Sequence, residues 1–212
     1  MTKRLFLTRT QHDFGNRYLY AYSQGIIDEA EGKGWAVERA ENEKYTRKNV
    51  SSRLSNGPDL VVINGHGSET ADVVFGFNDE PVLDSENSCL LAGSISFLRA
   101  CGCLAGLGKR ATEQKAKAVI GYRDDFWIPR VHEREANPLN DPSARPVLEA
   151  SNAAPLRLLH GATVEEAVQA SREKTSKAIF RILTRQEPYD SAALKALNGN
   201  EIDFEGNGSA RV

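Results

Sequence analysis

The stretch that decides the fold runs Leu60-Val61-Val62-Ile63 and continues as Asn64-Gly65-His66-Gly67. Its first half is an apolar, largely β-branched run with no polar alternation, which is typical of a strand buried on both faces of a parallel sheet. In its second half the apolar run gives way to glycine and histidine, so the strand ends there. The stretch therefore predicts a central strand that delivers His66 to one edge of a sheet.

Similar buried strands are expected on both sides of this stretch. The segments 3–8, 35–39, 95–100 and 118–122 are short and mainly apolar. Residues between them have helical spacing, with predicted helices at 16–33, 47–54 and 108–117. Alternating strands and helices predict an α/β fold with a mostly parallel, doubly wound sheet.

The rest of the chain departs from this alternation. A hairpin is predicted at 73–83, with its turn at Asn78-Asp79. Five prolines between 126 and 156 predict a long surface loop or lid without long regular elements. A capping box at Thr163 predicts a helix over 163–184, and the tail from Asn198 is expected to fray unless Ile202 and Phe204 dock as an edge strand.

These patterns suit a single domain covering residues 1–212. Its core would be 1–125, followed by a proline-rich loop or lid at 126–160 and a C-terminal helix and tail at 161–212. With 40% apolar and 26% charged residues, the chain has ordinary globular composition and can bury a core.

Charge and cysteine content exclude several functional classes. The formal net charge of -2 gives no support to nucleic-acid binding, and no apolar run is long enough for a membrane helix. The N-terminal apolar stretch is too short for a signal peptide. Three cysteines give no disulfide framework, and Cys101-Gly102-Cys103 is too tight for a zinc knuckle. We therefore expect a cytoplasmic protein without a metal or other cofactor.

A second strand end carries a cysteine. Cys101 and Gly102 follow the strand predicted at 95–100, just as His66 follows its own strand. If the two strands are neighbours, thiol and imidazole emerge side by side at the carboxyl edge, where functional groups of open sheets collect. A nearby imidazole makes a thiolate available near neutral pH, and the N–H groups of Gly67 and Cys101 can stabilise a tetrahedral oxyanion.

The two motifs resemble those of the caspase-like (clan CD) cysteine peptidases. Asn64-Gly65-His66-Gly67 and Ala100-Cys101-Gly102 follow successive strands in the family's order over residues 3–125. Arg99 stands where caspases have Gln and Cys103 where they have Gly, and only 35 residues separate His66 from Cys101, against roughly 50 in caspases. The bacterial CHAT-type peptidases are the closer resemblance.

The resemblance implies a caspase-like three-layer α/β/α sandwich and an endopeptidase with a Cys101–His66 dyad, an acyl-enzyme and no obligatory third member. The first specificity pocket would draw on residues 10–13 and 123–127. Asp13, Asp124 and Asp125 can hold a basic side chain, which we favour slightly, whereas Arg99 or Arg9 can hold an acidic one. Trp127 can form a wall of that pocket.

Other interpretations remain open. Cys101 can be a core cysteine, Cys103 can be the nucleophile, and His66 can simply stabilise a turn. The whole chain can then be a non-catalytic interaction or scaffold module, or a small-molecule amidase using the same dyad. For a peptidase, the partners are a protein or peptide substrate and an activating partner, with regulation by closure or cleavage of residues 126–156.

Overall fold

The computed structural model of the protein describes residues 2–212 and contains two sheets. A six-stranded sheet has the order β2-β1-β3-β7-β8-β9, and a small sheet has the order β4-β5-β6. The strands are β1 (Arg4–Arg9), β2 (Ala36–Glu41), β3 (Leu60–Asn64), β4 (His66–Gly67), β5 (Val74–Phe75), β6 (Pro81–Leu83), β7 (Ile95–Arg99), β8 (Ala118–Tyr122) and β9 (Ile202–Gly206). The first five strands of the large sheet are parallel, and β9 joins its edge antiparallel.

Helices cover both faces of the large sheet. They are α1 (Phe14–Gly32), α2 (Arg47–Leu54), α3 (Lys109–Glu113), α4 (Ala144–Leu159), α5 (Val164–Leu183) and α6 (Ser191–Gly199). The buried side chains of α1, α4 and α5 pack on one face and those of α2 and α3 on the other. The fold is therefore the expected three-layer α/β/α sandwich with a mostly parallel sheet.

The central strands match the sequence prediction because their composition suits burial on both faces. Every residue of β3, β7 and β8 is buried. β3 and β7 are hydrogen-bonded neighbours, with Asn64 opposite Arg99. This adjacency was the condition for bringing His66 and Cys101 to one edge, and it is fulfilled.

Local signals predicted the start of α5 well, the start of α1 two residues late and the end of α3 badly. Asp13 caps the start of α1, and the capping box of Thr163 with Glu166 opens α5 as predicted. The helix expected over 108–117 is shorter: α3 ends at Glu113, and Lys115 has a φ of +77°, a conformation that no helix can continue.

The prediction of a long loop over 126–156 is wrong for its second half, where α4 begins at Ala144. Pro146 lies in the first turn of α4, where a backbone N–H has no partner within the helix anyway. Pro155 lies inside α4 and removes one backbone hydrogen bond, but it is itself buried. Packing of α4 between α1 and α5 outweighs that loss. Residues 126–143 contain no α-helix or strand.

The C-terminal region is also more ordered than expected. Helix α6 was not predicted from the sequence; it packs on α4 and α5. The frayed tail expected from Asn198 is wrong, because Ile202 pairs with Tyr122 and Gly206 with Ala118 along β8. The alternative of a docked edge strand carrying Ile202 and Phe204 is confirmed.

The peptide that follows β3 continues into the small sheet. His66 pairs with Phe75, and β5 and β6 form the predicted hairpin, whose turn residues Asn78 and Asp79 have φ values of +53° and +57°. Among residues 2–212, no helix has the combined length and apolarity needed to cross a bilayer.

Candidate active site

Glycine brings the chain after β3 into the small sheet. A β-carbon at Gly65 would lie 2.2 Å from the carbonyl oxygen of Phe75, so only glycine fits without movement. The N–H of Gly65 donates to the carbonyl of Arg99 at 3.2 Å, which ties this turn to the end of β7. The imidazole of His66 consequently projects from the carboxyl edge of the large sheet with 47% of its side chain exposed.

A second glycine contact fixes the peptide that carries the thiol. A β-carbon at Gly67 would lie 1.8 Å from the carbonyl oxygen of Cys101 and 2.9 Å from its nitrogen. Gly102 has a φ of +64° and donates its N–H to the carbonyl of Asp124 at 2.9 Å. The backbones of residues 67 and 101, which were predicted to form the oxyanion hole, are therefore in direct contact.

One cavity receives both candidate catalytic side chains. It has a volume of about 390 Å³, and His66 and Cys101 both line it. Phe14, Leu19, Phe126 and Ile128 give most of the remaining wall an apolar character. The structure thus brings together the two residues that the sequence motifs singled out, in a concave and largely apolar site.

The thiol of Cys101 is not bonded to the imidazole. Its Sγ accepts a hydrogen bond from the N–H of Phe126 at 3.3 Å, and no hydrogen bond between Cys101 and His66 occurs within residues 2–212. Burial raises the pKa of Cys101; the N–H groups of Phe126 and Gly67 oppose this rise, and the charge of Asp125 adds to it. In this conformation, burial favours the protonated form of the Cys101 thiol.

Asp13 orients the imidazole. Its Oδ2 lies 3.1 Å from His66 Nε2, while its Oδ1 caps α1 by accepting from the N–H of Asn16 at 3.0 Å. Burial would raise the pKa of Asp13, but the hydrogen bonds from His66 and Asn16 outweigh it and lower that pKa. The Asp13 bond in turn raises the pKa of His66 against the effect of burial.

Asp13 was predicted from the sequence to bind substrate, and its contact with His66 was not predicted. The available signal was that Asp13 caps a helix at the carboxyl end of β1, the same edge at which β3 releases His66. A second histidine also approaches Asp13: His12 Nε2 lies 3.1 Å from Asp13 Oδ2, although the two atoms are not aligned for a hydrogen bond. One carboxylate thus faces two imidazoles.

The remaining predicted substrate residues lie in different places. Asp124, Asp125 and Trp127 line an adjoining cavity of about 370 Å³, which Cys101 also borders. Trp127 belongs to both cavities and is 56% exposed. Asn200 fixes its backbone by accepting from its N–H at 2.7 Å and donating to its carbonyl at 2.8 Å. Sequence reasoning missed Asn200, for which no local pattern exists.

Arg99 has a different environment from the other predicted residues. Its side chain is completely buried, and its Nη2 donates to Asn152 Oδ1 of α4 at 2.6 Å. It does not reach the cavity surface in this conformation. Arg9, the other basic candidate, pairs with Glu41 at 2.7 Å, away from the cavity.

The side chains of residues 2–212 do not form a metal-binding cluster. Among residues 2–212, no three His, Cys, Asp or Glu side chains are close enough together to hold a metal ion. Cys103, the alternative nucleophile, is fully buried, and burial raises the pKa of its thiol to about 12. Its Sγ points to the carbonyl of Val73 at 3.6 Å, which fits a packing role.

Comparisons with known proteins agree with the fold. No protein-family model and no curated protein sequence matches the chain. Among solved structures, gingipain R, described as an Arg-specific cysteine proteinase, matches with a TM-score of 0.62 at 13% identity, over 99% of this chain and 47% of the other. The complex of pro- and mature domains of RgpB from Porphyromonas gingivalis matches with a TM-score of 0.59 at 13% identity, over 99% of this chain and 48% of the other.

This chain therefore spans about half the length of the structures that it matches. At such low identity the likeness concerns the fold and not the reaction. The chain has the caspase-like α/β fold that is seen in gingipain R.

Proposed function

We propose that the protein is a cysteine endopeptidase of the caspase-like type in which Cys101 is the nucleophile and His66 the general base. The observation that carries the proposal is the shared cavity: thiol and imidazole line one concave, apolar site at the carboxyl ends of two neighbouring strands. The motifs around both residues favour the CHAT-type branch of the family.

The proposed reaction begins when the thiol leaves its hydrogen bond with Phe126 and turns toward His66. The neutral imidazole takes the thiol proton, and Sγ forms a bond with the carbonyl carbon of the scissile peptide. The N–H groups of Gly67 and Cys101 stabilise the resulting oxyanion. His66 then gives its proton to the leaving amine, which breaks the C–N bond and leaves an acyl-enzyme that water hydrolyses.

Asp13 supports this sequence as a positioning residue. Its bond to Nε2 holds the imidazole in one orientation and favours the protonated form that appears after the thiol gives up its proton. Nδ1 of His66 is then the nitrogen available to the thiol.

One observation favours a second candidate, a non-catalytic interaction module. Burial keeps the Cys101 thiol protonated, and its only hydrogen-bond donors among residues 2–212 are backbone N–H groups. A module without turnover would retain this arrangement in the presence of any peptide. A latent peptidase would leave it when a substrate enters the cavity.

Covalent labelling and peptide cleavage distinguish the two. An electrophilic peptide probe and iodoacetamide are compared by mass spectrometry at each cysteine, with exposed Cys89 as the reference thiol. If the protein is a peptidase, the labelling rate of Cys101 relative to Cys89 should be much higher with the peptide probe than with iodoacetamide. Cys101→Ala abolishes peptide cleavage and His66→Ala lowers it by about 100-fold, whereas Cys89→Ser leaves it unchanged. Cleavage that survives Cys101→Ala would eliminate the proposed nucleophile.

A further inference from the structure

Arg99 is a buried cation without a counter-ion. Its exposure is 0%, and Asn152, a neutral amide, is its one hydrogen-bond partner within residues 2–212. Its Nε and Nη1 are buried and have no hydrogen-bond partner there, although the guanidinium lies 5.1 Å from the centre of the Phe97 ring. Burial lowers the pKa of Arg99 to about 10, so the group stays charged at neutral pH. A buried charge without a partner of opposite sign is costly and calls for an explanation.

The position of Arg99 connects it with the cavity. Arg99 precedes Cys101 by two residues, so its side chain leaves the strand on the same face of the sheet as that of Cys101. Leu19 of α1 lines the cavity, and Tyr22, almost one helical turn deeper, accepts from the Nδ2 of Asn152 at 2.7 Å. The guanidinium is therefore buried on the side of the sheet that α1 covers, beside the helical turn of α1 that follows the cavity.

The wall of the cavity can open on one side. Leu19 is fixed in a helix, but Phe126 lies in the irregular segment after β8 and is only half-buried. The ring of Phe126 packs on Tyr122 at a centroid distance of 4.4 Å, and its N–H is the donor to the Cys101 thiol. Displacement of Phe126 would uncover Tyr122, which lies beside Arg99, and would release the thiol at the same time.

The same cavity offers little to a basic side chain. Among residues 2–212, Asp13 is the only acidic residue that lines it, and the carboxylate of Asp13 is already bonded to His66 and Asn16. Asp124 and Asp125 line the adjoining cavity instead. The sequence suggested that a basic substrate side chain would bind here. Among residues 2–212, however, the apolar cavity offers no free carboxylate to bind one.

We propose that Arg99 is the specificity-determining residue of this cavity and binds the carboxylate of an Asp or Glu side chain adjacent to the scissile bond. The unpartnered Nε and Nη1 atoms are the donors, arranged as the planar fork that suits a carboxylate. This inference rests on the proposed peptidase function for its substrate but not for its test, because carboxylate binding is measurable without turnover.

The test uses the full chain carrying Cys101→Ala, so that binding is separated from cleavage. Fluorescein-labelled peptides that differ only in Asp, Asn, Glu, Gln or Lys at one position are titrated by anisotropy. We expect the Asp or Glu peptide to bind about tenfold or more tightly than its amide counterpart, with the Lys peptide weakest. Equal affinity for the acid and amide peptides would overturn the proposal, whatever the outcome for catalysis.

Two further variants protect the test against simple misfolding. Asn152→Asp places a carboxylate beside the guanidinium, so it should abolish the preference for acidic peptides while raising the melting temperature, because the buried cation gains a counter-ion. Arg99→Met, which removes the charge and keeps the length, should also lose the preference. If Asn152→Asp folds and still prefers the acidic peptides, Arg99 is not their receptor.

In the active chain, the same peptides provide an independent measurement. The ratio of kcat/KM for Asp over Asn substrates should fall to about one in Asn152→Asp. Absence of all cleavage together with an Arg99-dependent binding preference would reject the proposed peptidase and retain the carboxylate site.

Discussion

Two walls of the cavity carry His66 and Cys101, and they differ in how well each side chain is arranged for the proposed reaction. The His66 side is complete, because Asp13 fixes the imidazole and raises its pKa. The Cys101 side is not, because burial keeps the thiol protonated and a backbone N–H of Phe126 holds it. In the proposed dyad, the imidazole of His66 is therefore already oriented in the free protein, whereas the thiol of Cys101 would become available only after the segment containing Phe126 moves.

The largest expected effect comes from breaking the contact that joins the two walls. In Gly67→Ala, the new β-carbon would meet the carbonyl oxygen of Cys101 at 1.8 Å, so the backbone must shift. We expect the free energy of unfolding to fall by about 3 kcal/mol or more, measured by urea denaturation.

A matched control is Gly25→Ala. Gly25 lies in α1 with nothing within 4 Å of the added methyl group. Alanine there should stabilise the protein by about 0.5–1 kcal/mol. Equal effects of the two substitutions would mean that the contact between residues 67 and 101 does not constrain the site.

A smaller effect is expected from removing the charge on the His66 side. Asp13→Asn keeps the helix cap but loses the negative charge. The pKa of His66 is raised above 6.5, so its contribution to stability is complete below that pH and is lost as pH rises through the folded pKa. The lowered pKa of Asp13 makes its contribution present above pH 3.8 and lost as pH falls.

The Asp13 charge should therefore stabilise the fold most between about pH 4 and pH 6.5. Because the pair is partly exposed, we expect Asp13→Asn to cost only about 0.5 kcal/mol in that window and less at pH 9. Thermal unfolding across pH 4–9 measures the difference, and NMR titration of His66 should show a lower pKa in the variant. A pH-independent difference in stability would contradict this account.

The smallest effect concerns the Cys101 side. The charge of Asp125 raises the pKa of the Cys101 thiol, so Asp125→Asn should lower it and increase iodoacetamide labelling at pH 7.5 by about two- to threefold. Asp124→Asn is the control, since it makes the same charge change one residue away. The effect should shrink at high salt. If both variants label equally fast, the charge of Asp125 does not act on the thiol specifically.

The arrangement of strands was readable from sequence because burial on both faces leaves a local pattern. Leu60 to Ile63 and Ile95 to Leu98 are apolar without alternation, and in a parallel sheet such runs end at a common edge. For this reason the positions of His66 and Cys101 at that edge are predictable from the sequence. The hairpin turn at Asn78 and the cap at Thr163 were equally local and equally visible.

Residues 144–156 show how a local rule fails. Prolines predicted a loop, but Val147, Leu148 and Ser151 repeat with helical spacing, and all three are buried in α4. Tertiary packing on α1 and α5 overrode the cost of Pro155, which no single-residue propensity can anticipate.

By itself, the sequence determined the α/β class, the parallel central strands and the two residues at their ends, since each of these depends on neighbouring residues. Only the tertiary structure decided that Asp13 binds His66, that Phe126 holds the thiol and that Asn152 meets a buried Arg99. These contacts join residues between 25 and 53 positions apart. Their existence depends on how helices and loops pack over the sheet edge, which no local pattern records.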